Sequence, residues 1–272
     1  MSVRHHLLSG DPILFAPGRS ERPNAFGTAA EEGCPFCPGQ EEQTPPAVAA
    51  VGEPWRVRVF PNKYPASGRH EVIVESPDHD AQFEDIAEAA AVVKTYRERY
   101  AAASKHAAYA ALFKNHGPLA GASLRHIHSQ LLATPFLPPR IAREQAAFRR
   151  DRCPLCDAMR GHLIEENGSF VRVAPEGSTM SYQQWLIPKR HGADLTTLES
   201  DEDLAAMLQA AAAGMRRLAG SYNWIFLNFP GAPRAHWYVE LFPRFGAVAG
   251  YELGTGTFIE VVDPVRTVEA MR

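Results

Sequence analysis

Two periodicities alternate along this chain, and their order occurs twice. In the first half, apolar-rich runs at Trp55 to Phe60, Glu71 to Glu75, Tyr109 to Lys114 and His126 to Ala133 predict strands. Between the second and third, Phe83, Ile86, Ala90, Val93 and Tyr96 share one face of a helix predicted over about Ala81 to Ala103. The second half repeats the series, with strands at Phe170 to Val173, Gln184 to Ile187, Trp224 to Asn228 and Trp237 to Phe242. Its helix, Asp201 to Leu218, has Ser200 as N-cap and Leu204, Met207, Leu208, Ala211 and Met215 as its core stripe. Each half thus reads as an α+β unit, an antiparallel sheet with one covering helix. The expected division is 1–137 and 138–272. Phe136 to Arg152 reads as a linker: prolines end the strand and a basic amphipathic helix follows, its arginines a solvated face first and phosphate contacts second. Asn167-Gly168-Ser169 reads as a turn.

Composition narrows the class. A length of 272 residues with 45% hydrophobic and 22% charged positions suits a globular protein with room for two domains. Lys and Arg number 28 against 31 Asp and Glu, so no broad basic surface is available for nucleic acid, and any bound anion needs a local cluster. No apolar run approaches the ~20 residues of a membrane span. The opening MSVRHHLLSGDPILFAPGRS lacks the apolar core of a signal peptide, so a cytoplasmic location is expected.

The four cysteines form two tetrapeptides, Cys34-Pro-Phe-Cys37 and Cys153-Pro-Leu-Cys156. A CxxC pair serves as a redox dithiol or as half of a metal site. A redox pair usually opens a helix after a strand, whereas Cys37 runs into Pro-Gly-Gln, a knuckle turn, and a reducing compartment disfavours a structural disulfide. Zinc fits better, because a knuckle supplies two of its four tetrahedral donors. Histidines follow each pair at similar offsets: His79 and His126 after the first, His191 and His236 after the second. The order Cys-x-x-Cys, His, His, occurring twice, predicts two copies of one unit, each with a structural zinc.

The densest polar stretch runs from Asn115 to Gln130, NHGPLAGASLRHIHSQ. In a strand, His126, His128 and Gln130 project from one side. Gly117 and Gly121 let backbone approach an anion, and Ser123 adds a hydroxyl, so the stretch reads as a phosphate cradle facing a histidine nucleophile. The alternative is a buried histidine pair satisfied by carbonyls. In the second half, His236 aligns with His126, Tyr238 with His128 and Glu240 with Gln130, so the nucleophile is missing from the repeat.

HIHSQ, with Asn115 and the Gly-x-Ser upstream, resembles the active-site strand of the galactose-1-phosphate uridylyltransferase family of the histidine-triad superfamily. AGAS before HIHSQ (Ala120 to Gln130) and GYELGTGTFI (Gly250 to Ile259) are similar to the ADP-glucose phosphorylase type. The resemblance implies two tandem histidine-triad-like domains and a nucleotidyltransferase in which His128 attacks the α-phosphorus of a nucleoside-diphosphate sugar, forming a nucleotidyl-histidine. It implies that the His126 carbonyl holds the other His128 nitrogen, and that Asn115, Gly121, Ser123 and Gln130 bind phosphate. Asn62 would lie in the nucleoside loop. Arg19 and Arg22 would reach a substrate phosphate, often from the neighbouring subunit of a homodimer, although an exposed basic turn is the competing reading. Gln130 stands where hydrolytic relatives carry histidine; a sugar 1-phosphate leaves without needing a proton, so an amide suffices and transfer is favoured over hydrolysis. Leu253 to Thr257 lack the glutamine that hexose-1-phosphate uridylyltransferases carry after GYE, which favours inorganic phosphate over galactose 1-phosphate as acceptor. Uridylyl transfer between UDP-glucose and a hexose 1-phosphate is the alternative activity. A histidine-triad nucleotide hydrolase or a non-catalytic nucleotide-binding protein is the alternative class.

Overall fold

The two predicted sheets are joined edge to edge. The computed structural model describes residues 2–22, 33–149, 152–232 and 234–272. A small hairpin, β1 (Ser2–His5) with β2 (Pro12–Phe15), stands apart from the main sheet. The first half contributes β3 (Ala49–Val51), β4 (Val57–Pro61), β5 (Arg69–Val74), α1 (Ala89–Ser104), β6 (Tyr109–His116) and β7 (His128–Thr134). After α2 (Pro139–Ala147) and α3 (Pro154–Ala158), the second half adds β8 (His162–Glu166), β9 (Phe170–Ala174), β10 (Gln184–Pro188), α4 (Asp201–Ala219), β11 (Tyr222–Leu227) and β12 (Tyr238–Pro243). Helices α5 (Gly250–Thr255) and α6 (Pro264–Met271) follow. The ten strands run β3-β4-β5-β7-β6-β11-β12-β10-β9-β8, all antiparallel. The halves meet where β6 pairs with β11, Lys114 opposite Trp224. Separate half-sheets would each expose that edge's N–H and C=O groups, and pairing them removes the liability.

Strand alternation gives the sheet two unlike faces. On one, Leu112, Leu131, Trp224, Phe226 and Val239 pack with α1 and α4 in a core that crosses both halves. Arg97 of α1 clamps Asp201 of α4 through two bonds of 3.0 and 2.7 Å, tying the two covering helices together. On the other face, α2 lays Ile141 over the second half with Phe148 just beyond it, against Val171, Val173, Ile187 and Tyr238. Among the described residues no helix sits over the first half there; Phe36, Phe60 and Val72 line a cavity instead, with Val74 packed beside them.

Four local expectations need revision. Helix α1 starts at Ala89 rather than Ala81, because Gln209 Nε2 of α4 donates to the carbonyls of Phe83, Glu84 and Ile86 at 3.3, 3.3 and 2.9 Å. Those carbonyls are then not free for a helical ladder, and Phe83 to Asp85 form a single 3₁₀ turn. Strand β7 begins at His128 and β12 at Tyr238, so His126 and His236 lie just before their strands. The first arginine of the helix in the Phe136 to Arg152 segment is half-exposed but is paired with carboxylates and not free for phosphate: Arg140 donates to Glu240 at 3.0 and 2.5 Å and to Glu144 at 2.6 Å. Helix α4 matches expectation, with Asp203 N–H donating to Ser200 Oγ at 3.0 Å and Gly220 closing it at φ +64°. No described helix is long and apolar enough to cross a membrane.

Trp224 sits fully buried at the β6–β11 seam, edge-on to Phe83 with ring centroids 4.9 Å apart. Trp224→Ala should cost about 3–5 kcal/mol by opening a cavity there. Because the core is continuous across the seam, urea denaturation followed by fluorescence and by far-UV circular dichroism should show both halves still unfolding in one coincident transition.

Candidate active site

The site is built on the face that α2 leaves open. Val72 pairs with Gln130 and Val74 with His128, so His128, Gln130 and the diagonal neighbour His70 share that face of β5 and β7. His128 and Gln130 line a cavity of about 410 Å³ together with Arg22, Asn62, Ser123 and the apolar side chains of Phe36, Phe60, Val72 and Leu124, with His70 behind Gln130. An apolar slot next to a few polar groups is the usual form of a small-molecule site.

His128 is 5% exposed. Its Nδ1 stands 2.8 Å from the His126 carbonyl, an acceptor only, so the ring proton sits on Nδ1 and the lone pair on Nε2. Nε2 has no protein partner among the described residues. Phe36 packs edge-on against the imidazole at 5.1 Å. Burial, above all, lowers the His128 pKa to about 4, with the His126 carbonyl opposing and Lys114 adding to the shift. The imidazole is therefore neutral near pH 7, the form a nucleophile requires.

Gln130 turns its Oε1 to His70 Nε2 at 3.0 Å, and its Nε2 makes no bond within the protein among the described residues. Asn223 of β11 donates to Asn115 Oδ1 at 2.9 Å and to the Ala120 carbonyl at 3.0 Å, fixing the Asn115 amide and the turn that follows. Gly117 and Gly121, at φ +83° and +80°, shape that turn; a Cβ on Gly117 would lie 2.2 Å from Ser221 Oγ. Gly121 does not line the cavity, whereas Ser123 does. Arg22 donates to Ser123 Oγ at 2.5 Å and Arg19 to the Tyr64 carbonyl at 2.6 Å, so both arginines reach the cavity region of their own chain. Burial lowers the pKa of both, and Arg19 adds to the effect on Arg22.

Both predicted ligand sets assemble. The donor atoms of Cys34, Cys37, His79 and His126 lie within 4.8 Å of one another, as do those of Cys153, Cys156, His191 and His236. His126 Nε2 donates to the Ser76 carbonyl at 2.7 Å, which leaves the Nδ1 lone pair facing Cys34 and Cys37 at 3.7 and 3.6 Å. His79 Nδ1 is 3.4 Å from Cys37. In the second set, His236 donates to the Pro188 carbonyl and faces both sulfurs at 3.9 Å, while His191 Nε2 is 2.9 Å from Cys156. Tetrahedral metal–sulfur and metal–nitrogen bonds of about 2.3 and 2.0 Å put sulfur and nitrogen about 3.5 Å apart, so the first set fits a metal without rearrangement. Burial first, and the neighbouring cysteine second, raise the Cys37 and Cys156 pKa to about 11. Two thiols that resist ionising together are the donors a dication stabilises.

Three groups escaped the sequence reading. His70 is one. The others are Lys114 and Glu75, a fully buried pair on the helix face directly beneath β7. Glu75 also accepts from Ser129 at 2.5 Å and from Tyr96, and Lys114 Nζ reaches the His128 carbonyl at 3.4 Å. Alternation within the EVIVE run placed Glu75 opposite the valines, but no sequence signal joined it to Lys114. The corresponding cavity of the second half is about 300 Å³ and lined by Arg140, Glu144, Trp185, Tyr238 and Glu240. Tyr238 starts β12 as His128 starts β7, and its hydroxyl donates to Glu144 at 3.2 Å.

Fold and site together define a nucleotidyltransferase of the histidine-triad superfamily. The model for the galactose-1-phosphate uridyl transferase N-terminal domain matches residues 56–138, and the chain is similar to the galactose-1-phosphate uridylyltransferase family. It is 29% identical over 312 aligned positions to ADP-glucose phosphorylase of Arabidopsis thaliana, covering 96% of this chain and 89% of that protein. It is 24% identical to galactose-1-phosphate uridylyltransferase of Thermotoga maritima, covering 100% and 98%. The crystal structure of the Arabidopsis thaliana ADP-glucose phosphorylase with bound ADP-glucose superposes with a TM-score of 0.82 at 29% identity, covering 100% and 97% of the two chains.

Breaking the buried pair should be costly, because the remaining charge is left without a partner. Lys114→Met should lower stability by about 3–5 kcal/mol, and adding Glu75→Gln should recover most of it. Chemical denaturation of the single and double variants measures both.

Proposed function

We propose that this protein transfers a nucleotidyl group from a nucleoside-diphosphate sugar to inorganic phosphate through a covalent intermediate on His128. With an ADP-sugar, the products are a sugar 1-phosphate and ADP, the activity of an ADP-glucose phosphorylase. The observation that carries this reading is the His128 imidazole: Nδ1–H held by the His126 carbonyl at 2.8 Å, and Nε2 free beside the Gln130 amide. Nε2 attacks the α-phosphorus, the bond to the bridging oxygen breaks, and sugar 1-phosphate leaves with that electron pair. Phosphate then attacks the same phosphorus and the pair returns to Nε2. Asn115, Ser123, Gln130, Arg19 and Arg22 hold the phosphoryl oxygens, Gly121 gives the turn its shape, and Asn62 faces the nucleoside. Catalysis rests on positioning and charge stabilisation.

The chain divides functionally at 137/138 into a catalytic half and a half that keeps the metal cluster without the nucleophile. Zinc occupies both clusters in a structural role, held by Cys34, Cys37, His79 and His126 and by Cys153, Cys156, His191 and His236. The protein works as a homodimer in the cytoplasm, a reducing compartment that keeps the four cysteines out of disulfides and available to a metal. Uridylyl transfer to a hexose 1-phosphate is the second reading, supported by the similarity to uridylyltransferases of comparable length.

Incubation with ADP-glucose labelled in the adenylate should leave label on His128, and His128→Gly should abolish it while the fold persists. Added phosphate should discharge the label as ADP. Discharge by galactose 1-phosphate but not by phosphate would favour the second reading, and absence of label with every nucleotide sugar would falsify covalent catalysis.

Elemental analysis of freshly purified protein should find about two zinc ions per chain. Cys153→Ser should lose one of them while the His128 adduct still forms; protein with no bound metal would refute the four-ligand sites.

A further inference from the structure

His70 is a buried histidine, 5% exposed, that no step of the proposed reaction uses. The main-chain N–H of Ala66 donates to its Nδ1 at 3.1 Å, so Nδ1 carries the lone pair and the ring proton sits on Nε2. That proton faces Gln130 Oε1 at 3.0 Å. The Gln130 amide is thereby fixed with its oxygen turned away from the reacting phosphorus and its NH₂ turned toward the cavity. Asn62 Nδ2 lies 3.4 Å from the same ring nitrogen and, with that nitrogen protonated, makes no bond to it. The Asn62 carbonyl oxygen accepts from Tyr64 N–H at 2.8 Å, so this amide too presents N–H groups.

We propose that His70 is a positioning residue that holds Gln130 as a pure hydrogen-bond donor toward the phosphoryl group, and so sets the preference for phosphate over water as acceptor. This rests on the covalent mechanism above. When phosphate attacks, an oxygen that is already anionic forms the new P–O bond, the P–Nε2 bond breaks, and the electron pair returns to His128. When water attacks, the same bonds form and break, but the water oxygen must also lose a proton to an acceptor near the phosphorus. A Gln130 locked with NH₂ inward offers none. Free to rotate, the same amide would present Oε1 to the cavity and orient water there. Burial, above all, lowers the His70 pKa to about 4, with Gln130 opposing and Arg19 and Arg22 adding to the shift, so the neutral tautomer that donates persists across the working pH range.

The test compares His70→Gln, whose amide nitrogen stands near the place of Nε2, with His70→Asn, which cannot reach Gln130, and with His70→Leu. The adenylyl-enzyme made from labelled ADP-glucose is divided between phosphate, giving ADP, and water, giving AMP. His70→Asn and His70→Leu should raise the water-to-phosphate ratio about tenfold, the effect of one hydrogen bond felt in the transition state, with KM for ADP-glucose changed less than about threefold. His70→Gln should keep the wild-type ratio. Equal ratios in all folded variants, or a rise in His70→Gln equal to that in His70→Asn, would overturn the proposal. Independently of any variant, nitrogen-15 chemical shifts of His70 in the unmodified protein must show Nε2 protonated and Nδ1 bare; the opposite tautomer also overturns it. Failure of the wild-type protein to form an adduct, with the His70 tautomer as expected, would instead count against the covalent mechanism itself.

Discussion

The hydrogen bond from His128 Nδ1 to the His126 carbonyl is the constraint on which the site depends. It decides which nitrogen of His128 is bare and where that nitrogen points, and it works only if the carbonyl stays in place. The sheet does not hold it there, because β7 begins at His128 and His126 lies beyond the ladder. Its own side chain does. Nε2 is anchored on the Ser76 carbonyl, Nδ1 faces two sulfurs, and Phe36 from the same cysteine knuckle packs against both imidazoles. The Cys₂His₂ cluster thus replaces strand pairing at the point where the strand ends.

The other face of β7 is made rigid by charge. Ser129, between His128 and Gln130 in sequence, points through the sheet to Glu75, which also meets Tyr96 and Lys114. Lys114 has Phe83 and Trp224 around it, with its nitrogen 5.6 and 5.4 Å from the ring centroids. In such apolar surroundings each partner of the pair is viable only with the other present. The strand carrying the nucleophile is therefore fixed on one side by the cysteine knuckle and on the other by a satisfied ionic network that also reaches the β6–β11 seam.

What could be read in the sequence was what local spacing encodes. The CxxC pairs, the histidines that follow them and HIHSQ are short motifs whose chemistry depends on residues a few positions apart, and the doubled order of elements is a repeat. The joining of the halves was not legible, because the apolar pattern of Tyr109 to Lys114 and Trp224 to Asn228 says that each is a strand and not which edge it meets. His126 was read correctly as a partner of Cys34, Cys37 and His79 but wrongly as the first residue of the strand, which begins at His128. His70 gave no signal because its partner is diagonal to it across two strands. Arg140 looked like a surface charge because Glu240, its partner, lies 100 residues further along the chain.

That last pair marks where the two halves of the duplicated fold differ in charge. On the same face of the sheet, Glu240 occupies the place of Gln130 and is 2% exposed, so it requires a cation beside it. Arg140 supplies that cation, and the pair pushes the Arg140 pKa further up despite the opposing cost of burial. Helix α2, which carries Arg140, packs on that face beside a cavity of about 300 Å³, against about 410 Å³ in the first half. The first half keeps the opposite balance: His70, His128, Gln130 and Asn62 are neutral, and Arg19 and Arg22 have no carboxylate within ion-pair distance among the described residues. Its positive charge has no internal counterion among the described residues, whereas in the second half the protein has neutralised itself. Restoring a histidine at Tyr238 alone would leave the Glu240 carboxylate and its Arg140 partner in place, so the asymmetry is held by several linked residues and not by one position alone.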